Sequence, residues 1–149
     1  MTAIRFHLVR HGEAEPKDAR GDAARALTPA GRERFAAHAA ALAPRLALRR
    51  IATSPLARAR ETAVLLARAT GAPIEEEPAL APGASSAREL LALGRRLGAG
   101  AALVGHNPEI AEALALAARR AIEVRPGTVA AVDADGDAFA LAWLEPPRT

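Results

Sequence analysis

The sequence predicts an α/β fold in which helices cover both faces of a mostly parallel sheet, with an antiparallel hairpin at the C-terminal end. Short apolar runs rich in β-branched residues alternate along the chain with longer helix-like segments. Near the C-terminus, two apolar runs flank the turn sequence DADGDA with no helix between them. Together these observations predict a three-layer sandwich that ends in a hairpin.

Each element in the first half of the chain has a local signal. Residues 4–9 predict a first strand because they are β-branched, apolar or aromatic. The segment LTPAGRERFAAHAAALAP predicts a helix with Thr28 as its N-cap. Residues 51–54 predict a second strand, and SPLARARETAVLLARATG then predicts a helix that is capped by Ser54 and stopped by Gly71.

The second half follows the same alternation. PIEEE predicts a third strand, and Ser86 with Glu89 predicts a capping box that opens the helix ARELLALGRRLG. AALVG predicts a fourth strand. NPEIAEALALAAR predicts a fourth helix with Asn107 as its cap and Pro108 at its first position. The runs TVAAV and AFALAWL predict the terminal hairpin.

Composition limits the classes of protein that the chain can belong to. Its 149 residues, 50% of them hydrophobic, suit a single domain that spans residues 1–149. The sequence contains no apolar stretch as long as a membrane span, so we expect a cytoplasmic protein with no membrane association. The absence of cysteine excludes disulfides and thiolate metal sites. Scattered arginines, a net charge of +3 and 3% aromatic residues argue against nucleic acid as a partner.

Charged and imidazole side chains follow the predicted strands: RHG after the first, SPLAR after the second and GHNPE after the fourth. Ligands of open α/β sheets bind beyond the carboxyl ends of the strands. Arg58 leans back over the start of its helix, whereas Arg60 faces another side of it. We therefore expect one tetrahedral oxyanion, with phosphate as the candidate, to be held by Arg10, His11, Arg58 and His106.

The histidines predict chemistry at the phosphorus atom. A neutral imidazole is a good nucleophile at pH 7, and neighbouring arginines favour the neutral form. Gly12 is expected to bind substrate as well, because a residue without Cβ permits close approach and an unusual turn conformation. For Ser54 we expect helix capping first and a phosphate contact second.

The segments RHG, LTPAGRERF, SPLARARET and VGHNP, in this order, resemble the histidine phosphatase superfamily, whose fold is shared by phosphoglycerate mutases. The resemblance covers Ile4 to about Leu144, and the short connections look most like the small SixA-like phosphohistidine phosphatases. It implies that His11 is the nucleophile and becomes a transient phosphohistidine, which water hydrolyses. It also implies that Arg10 and Arg58 clamp phosphate, that His106 binds the non-bridging oxygens, and that no metal or other cofactor takes part.

One departure from the superfamily bears on the substrate. Many members carry a carboxylic acid after the second histidine or after the third strand, but here Asn107 follows His106 and PALAPGASS has no carboxylate. An alkoxide leaves poorly without a proton donor, whereas the imidazole of phosphohistidine can leave already protonated. The expected partner is therefore a protein that carries phosphohistidine, bound at a shallow site without a lid.

Two other functions stay open. The chain could be a broad-specificity phosphomonoesterase acting on small phosphate esters, with Glu13 or Glu109 as the proton donor. Glu109 also suits the first turn of a helix, where a carboxylate complements the macrodipole. The second alternative is a non-catalytic phosphate-binding or phosphoprotein-binding module. The remaining histidines are expected to be structural: His7 packed in or at the edge of the sheet, and His38 facing solvent.

Overall fold

A six-stranded sheet forms the centre of the structure, a computed structural model that describes residues 3–17 and 19–148. Its strands are β1 (Ile4–Arg10), β2 (Arg50–Thr53), β3 (Ile74–Glu76), β4 (Ala101–Gly105), β5 (Val129–Asp135) and β6 (Ala138–Glu145). The strand order is β3-β2-β4-β1-β5-β6. The first four strands of that order are parallel, whereas β5 and β6 are antiparallel to their neighbours. The predicted fold class and terminal hairpin are confirmed.

Helices cover both faces of this sheet. They are α1 (Pro29–Leu46), α2 (Ala57–Thr70), α3 (Ala87–Leu97) and α4 (Glu109–Ala118). One apolar cluster joins α1 and α2 to one face, and a second cluster joins α3 and α4 to the other. Short 3₁₀ turns at Asp22–Ala24 and Pro78–Leu80 lie in the loops after β1 and β3. No helix in the described part of the chain has the length and apolar character that crossing a membrane requires.

The two apolar clusters follow from the alternation of side chains along each strand. In β1, Phe6 and Leu8 point into the cluster under α3 and α4, whereas Val9 points into the cluster under α1 and α2. The helix α3 approaches Phe6 closely at Gly94, where an added Cβ would lie 2.2 Å from the aromatic ring. This contact requires glycine because the buried ring has no free volume to move into.

Two predicted helix caps are confirmed. The Oγ1 atom of Thr28 accepts a hydrogen bond from the N–H of Gly31 at 2.8 Å, which caps α1. Ser86 and Glu89 make both hydrogen bonds of a capping box at the start of α3. Helix α1 continues to Leu46, two residues beyond the proline at which its predicted segment ends.

The predicted start of the second helix was wrong. Helix α2 begins at Ala57, and its N-cap is Leu56, which makes no side-chain capping bond. The Oγ atom of Ser54 instead accepts from the N–H of Leu56 at 3.2 Å and contacts His106 at 2.7 Å. A turn therefore separates β2 from α2, and the side chain of Ser54 contacts the residue that follows the neighbouring strand β4.

The fourth helix also begins later than predicted. Helix α4 starts at Glu109 with Pro108 as its N-cap, so Asn107 lies one residue outside the cap. The side chain of Asn107 still binds the first turn, since its Oδ1 atom accepts from the N–H of Ala111 at 3.2 Å. Its amide nitrogen donates to the carbonyl of Val124 at 3.1 Å, which ties the start of α4 to the segment before β5.

The two structural histidines differ in environment. His7 is 1% exposed, and its ring centroid lies 5.8 Å from that of Trp143, so the packed role is confirmed. Burial lowers the pKa of His7 from 6.5 to about 4. The solvent-facing prediction for His38 was wrong: the ring is partly buried, and Nε2 lies 2.9 Å from the carbonyl oxygen of Glu145. The end of β6 passes next to α1 at this point.

The burial of His7 predicts that the folded protein loses stability in acid. The unfolded chain protonates His7 near pH 6.5, whereas the folded protein does so only near pH 4, so the free energy of unfolding falls as pH decreases through this window. The variant His7→Leu lacks this titrating group. Between neutral pH and pH 4, its free energy of unfolding should therefore fall by up to about 3 kcal/mol less than that of the wild type. Urea unfolding followed by circular dichroism at several pH values measures it, and equal pH slopes in both proteins would contradict the prediction.

The contact between Gly94 and Phe6 gives a second prediction. Gly94→Ala should lower the free energy of unfolding by about 1–3 kcal/mol, because the new methyl group overlaps the Phe6 ring. The double variant Phe6→Leu/Gly94→Ala serves as the control, since a smaller side chain at residue 6 makes room for the methyl group. Additive costs in urea unfolding would show that the two positions do not interact.

Candidate active site

The end of β1 is anchored on both sides. The N–H of His11 donates to the carbonyl of Gly105 at the end of β4, at 3.1 Å. On the other side, the N–H of Gly127 donates to the carbonyls of Arg10 and His11, at 3.1 and 2.9 Å. Two neighbouring backbone segments therefore fix the position of both side chains before any ligand binds.

The imidazole of His11 has a defined tautomer. It is 8% exposed, and Nδ1 lies 2.7 Å from the carbonyl oxygen of Gly12. Since a carbonyl only accepts, Nδ1 carries the proton and donates. The Nε2 atom then keeps a free lone pair, and it accepts from the Nε–H of Arg58 at 3.3 Å. The ring thus presents an unprotonated nitrogen beside a guanidinium.

The charge state of His11 follows from its surroundings. Burial is the main cause that lowers its pKa, from 6.5 to about 4. The hydrogen bond to Gly12 acts in the opposite direction, while the cations of Arg58, Arg10 and Arg25 lower the pKa further. At pH 7 the imidazole of His11 is therefore neutral.

His106 lies beside His11, directly after β4. The ring is 3% exposed, and its centroid is 5.1 Å from that of His11. Its Nε2 atom lies 2.7 Å from Oγ of Ser54, which also accepts from the N–H of Leu56. Burial, followed by the effects of His11 and Arg58, lowers the pKa of His106 to about 3.

Arg58 reaches the site from the first turn of α2. Its side chain is 6% exposed, and it binds His11 through Nε and Asp22 through both terminal nitrogens. Arg60, two residues further along the helix, points elsewhere and forms an ion pair with Glu76 at 3.6 Å. The expected division between the two arginines is confirmed.

Two buried side-chain nitrogens near the end of β1 have no hydrogen-bond partner within the described residues. They are Nε of Arg10 and Nδ1 of His106. Arg10 is held at its other end, where Nη1 donates to the carbonyl of Val124 at 2.8 Å. Buried donors are nearly always satisfied. An oxyanion next to His11 would supply the acceptor that Nε of Arg10 lacks.

The family model of the histidine phosphatase superfamily (branch 1) matches residues 6–82. The chain belongs to this superfamily. The matched range contains the segments RHG, LTPAGRERF and SPLARARET, and membership classes the chain among phosphoric monoester hydrolases. No curated protein sequence matches it.

Solved structures share the fold over almost the whole chain. The protein histidine phosphatase SixA, in complex with tungstate, is 24% identical over 97% of both chains, with a TM-score of 0.85. A protein from Nakamurella multipartitia described as a phosphohistidine phosphatase SixA is 26% identical over 100% of this chain and 99% of its own, with a TM-score of 0.81. An Escherichia coli protein described as an α-ribazole-5′-phosphate phosphatase is 19% identical over 97% of both chains, with a TM-score of 0.77. The chain thus has the phosphoglycerate mutase-like fold of the superfamily.

Gly12 and Ser54 lie behind the two histidines. The N–H of Gly12 donates to Oγ1 of Thr62 at 3.0 Å, and its carbonyl accepts from His11. Gly12 does not have the positive φ of an unusual turn, so that part of the expectation was wrong. Ser54 is fully buried and turns its hydroxyl toward His106. Direct contact of either residue with phosphate stays a prediction.

The two predicted proton donors are bound elsewhere in the structure. Glu13 accepts from the hydroxyl of Thr28 at 2.9 Å and lies 3.7 Å from the guanidinium of Arg34. Glu109, the first residue of α4, accepts from the N–H of Gly83 at 2.6 Å. A proton-donor role for either carboxylate stays a prediction. Within the described residues, no cluster of three or more acidic or histidine side chains could hold a metal ion.

Sequence reasoning missed two residues beside the site. The carboxylate of Asp22 lies between two guanidiniums, 3.2 Å from Nη2 of Arg58 and 3.1 Å from Nη1 of Arg25. Arg25 is held by the carbonyl of Glu15, which accepts from its Nε at 2.6 Å. The spacing of Asp22 and Arg25 suits a local ion pair, but no sequence pattern connects that pair with Arg58.

The different surroundings of the two arginines in α2 predict different effects on anion binding. Arg58→Ala should weaken the binding of inorganic phosphate at least about tenfold, because it removes a buried guanidinium beside His11. Arg60→Ala is the matched control and should leave the affinity unchanged. Isothermal titration calorimetry measures both constants, and equal losses in the two variants would place the anion outside this site.

Proposed function

We propose that this phosphatase removes phosphate from phosphohistidine on another protein and uses His11 as its nucleophile. The tautomer of His11 is the observation that carries the proposal. Because Nδ1 donates to Gly12, the Nε2 atom has a lone pair that no proton occupies. The low pKa of the ring keeps this lone pair free at neutral pH.

The first chemical step exchanges one P–N bond for another. In the free enzyme, Nε–H of Arg58 points at Nε2 of His11. A bound phosphoryl group takes over that donor, and Nε2 attacks phosphorus on the side opposite the leaving nitrogen. The electrons of the breaking bond pass to the substrate imidazole. This ring leaves neutral because its other nitrogen already carries a proton.

The second step regenerates the enzyme. Water attacks the phosphoryl group on His11, the bond to Nε2 breaks, and its electrons return to the imidazole as a lone pair. Inorganic phosphate leaves. In both steps the phosphoryl oxygens gain charge. The unpaired N–H at Nε of Arg10 is suited to stabilise it, and so is Nδ1 of His106 in the tautomer that carries a proton there.

The state of the carboxylates supports phosphohistidine as the substrate. Asp22 lies beside the site, but its pKa is lowered by the hydrogen bond from Arg25 and then by Arg58, so it holds no proton at pH 7. Glu13 and Glu109 are bound to groups outside the histidine pair. An ester needs an acid to protonate its leaving alkoxide, whereas phosphohistidine does not. The similarity to the structure named as protein histidine phosphatase SixA points the same way.

One observation favours a broad phosphomonoesterase as the second candidate. The Oε1 atom of Glu109 is buried and has no partner within the described residues. A carboxyl group in that state could protonate a leaving alkoxide if the loop around Gly83 released its other oxygen. The fold similarity to a protein described as an α-ribazole-5′-phosphate phosphatase is compatible with this reading. A non-catalytic binding module is disfavoured, because anion binding alone requires no neutral nucleophile.

The proposal predicts a covalent intermediate. A histidine-phosphorylated protein labelled with ³²P should transfer label to the wild-type enzyme, and the bond formed should be labile in acid and stable in alkali. His11→Ala should carry no label, whereas His38→Ala, a histidine on α1 outside the site, should be labelled like the wild type. Rapid-quench trapping followed by gel autoradiography measures this, and equal labelling of His11→Ala would exclude His11 as the nucleophile.

Rates on two substrates separate the candidate enzymes. The ratio of kcat/KM for the phosphohistidine protein to that for p-nitrophenyl phosphate should exceed one by several orders of magnitude. Fast ester cleavage without P–N cleavage would support the phosphomonoesterase. Glu109→Gln should then slow the cleavage of an alkyl phosphate, whose alkoxide needs a proton to leave.

A further inference from the structure

The loop between β1 and α1 brings an anion and a third cation to the phosphate clamp. Arg58 donates to the backbone carbonyl of Asp22 at 2.9 Å and to its carboxylate at 3.2 Å. The second carboxylate oxygen accepts from Arg25 at 3.1 Å. The side chains therefore form a continuous chain of contacts in the order Arg25, Asp22, Arg58 and His11.

We propose that Asp22 is a positioning residue, which holds the guanidinium of Arg58 in the orientation that receives phosphate and keeps Arg25 beside it. The inference rests on the proposed function, because it concerns the same site. Asp22 acts through Arg58 and takes no part in bond formation.

The geometry of Arg58 supports this role. The guanidinium is planar, so contacts at both terminal nitrogens together with Nε fix its plane as well as its position. Both terminal contacts go to Asp22, and the Nε contact goes to His11. Without the carboxylate of Asp22, only its backbone carbonyl would hold a terminal nitrogen of Arg58. The plane of the guanidinium could then rotate away from His11.

The charges lead to the same conclusion. Arg10, Arg58 and Arg25 all act on His11, so the free site concentrates positive charge. Arg58 is almost fully buried, and a buried guanidinium without an anionic partner is costly. Asp22 offsets this charge while the site is free of phosphate, and its carboxylate is itself 39% exposed.

Asp22 does not block the site. A guanidinium has more N–H groups than the contacts to Asp22 and His11 use, so Arg58 keeps donors for a phosphoryl oxygen. The carboxylate is also shared with Arg25, which limits its competition with an incoming anion. These contacts indicate that Asp22 orients Arg58 and does not permanently inhibit the binding of an anion.

Asp22→Asn tests the role, because it removes the charge and preserves the shape and the backbone carbonyl. Asp133→Asn is the matched control: Asp133 also pairs with an arginine, Arg5, and its side chain is 35% exposed. Tungstate serves as the probe in isothermal titration calorimetry with the full chain. Asp22→Asn should bind tungstate about tenfold more weakly and lose about 10- to 100-fold in kcat/KM. Asp133→Asn should match the wild type in both measurements.

A spectroscopic readout separates positioning from a general structural effect. The charge of Asp22 raises the pKa of His106, so removing that charge should lower this pKa further. NMR titration of the ring measures the shift, which Asp133→Asn should not produce. Arg25→Ala tests the same chain of contacts from its other end and should also weaken tungstate binding, so the inference stays testable if Asp22→Asn folds poorly.

The outcomes distinguish this inference from the proposed function. Unchanged tungstate affinity in Asp22→Asn and Arg25→Ala would overturn the positioning role. Tighter binding in Asp22→Asn would overturn it as well, because the carboxylate would then be a competitor of the anion. Weaker tungstate binding together with a wild-type enzyme that never forms a phosphoenzyme would support the positioning role and refute the proposed function.

Discussion

The hydrogen bond from Nδ1 of His11 to the carbonyl of Gly12 is the constraint on which the site depends. It determines the tautomer of the ring, and so decides that Nε2 carries the lone pair. Two hydrogen bonds hold the backbone that leads to this carbonyl: β4 binds the N–H of His11, and Thr62 binds the N–H of Gly12. With Nδ1 bound to the carbonyl, Nε2 faces Arg58.

Burial and charge act together on the histidine pair. Both rings are almost fully buried and lie between cations, and each of these conditions disfavours the protonated form. Positive charge therefore resides on the arginines, and the imidazoles stay neutral. A site of this kind attracts an anion and keeps its nucleophile uncharged at the same pH. Asp22 lowers the repulsion among the cations without placing its carboxylate against either histidine ring.

Local sequence patterns predict most of the strands and helices, but not the contacts between residues that are distant along the chain. The strands, the terminal hairpin, the Thr28 cap and the capping box at Ser86 follow from patterns within a few residues. The predicted caps Ser54 and Asn107 both lie outside the helices that they were expected to cap, and each side chain also binds a distant group, His106 in one case and Val124 in the other. Local capping rules cannot include a partner that only the folded sheet brings close.

The sequence by itself determined the order of strands and helices along the chain, and it determined the family. It also predicted that one edge of the sheet brings together Arg10, His11, Arg58 and His106. That convergence follows from parallel strands, whose carboxyl ends meet at the same edge. Only the tertiary structure decided the tautomer of His11, the unpaired nitrogens of Arg10 and His106, and the position of Asp22. Asp22 meets Arg58 across 36 residues of chain, from a loop without hydrophobic periodicity, so nothing local encodes the contact.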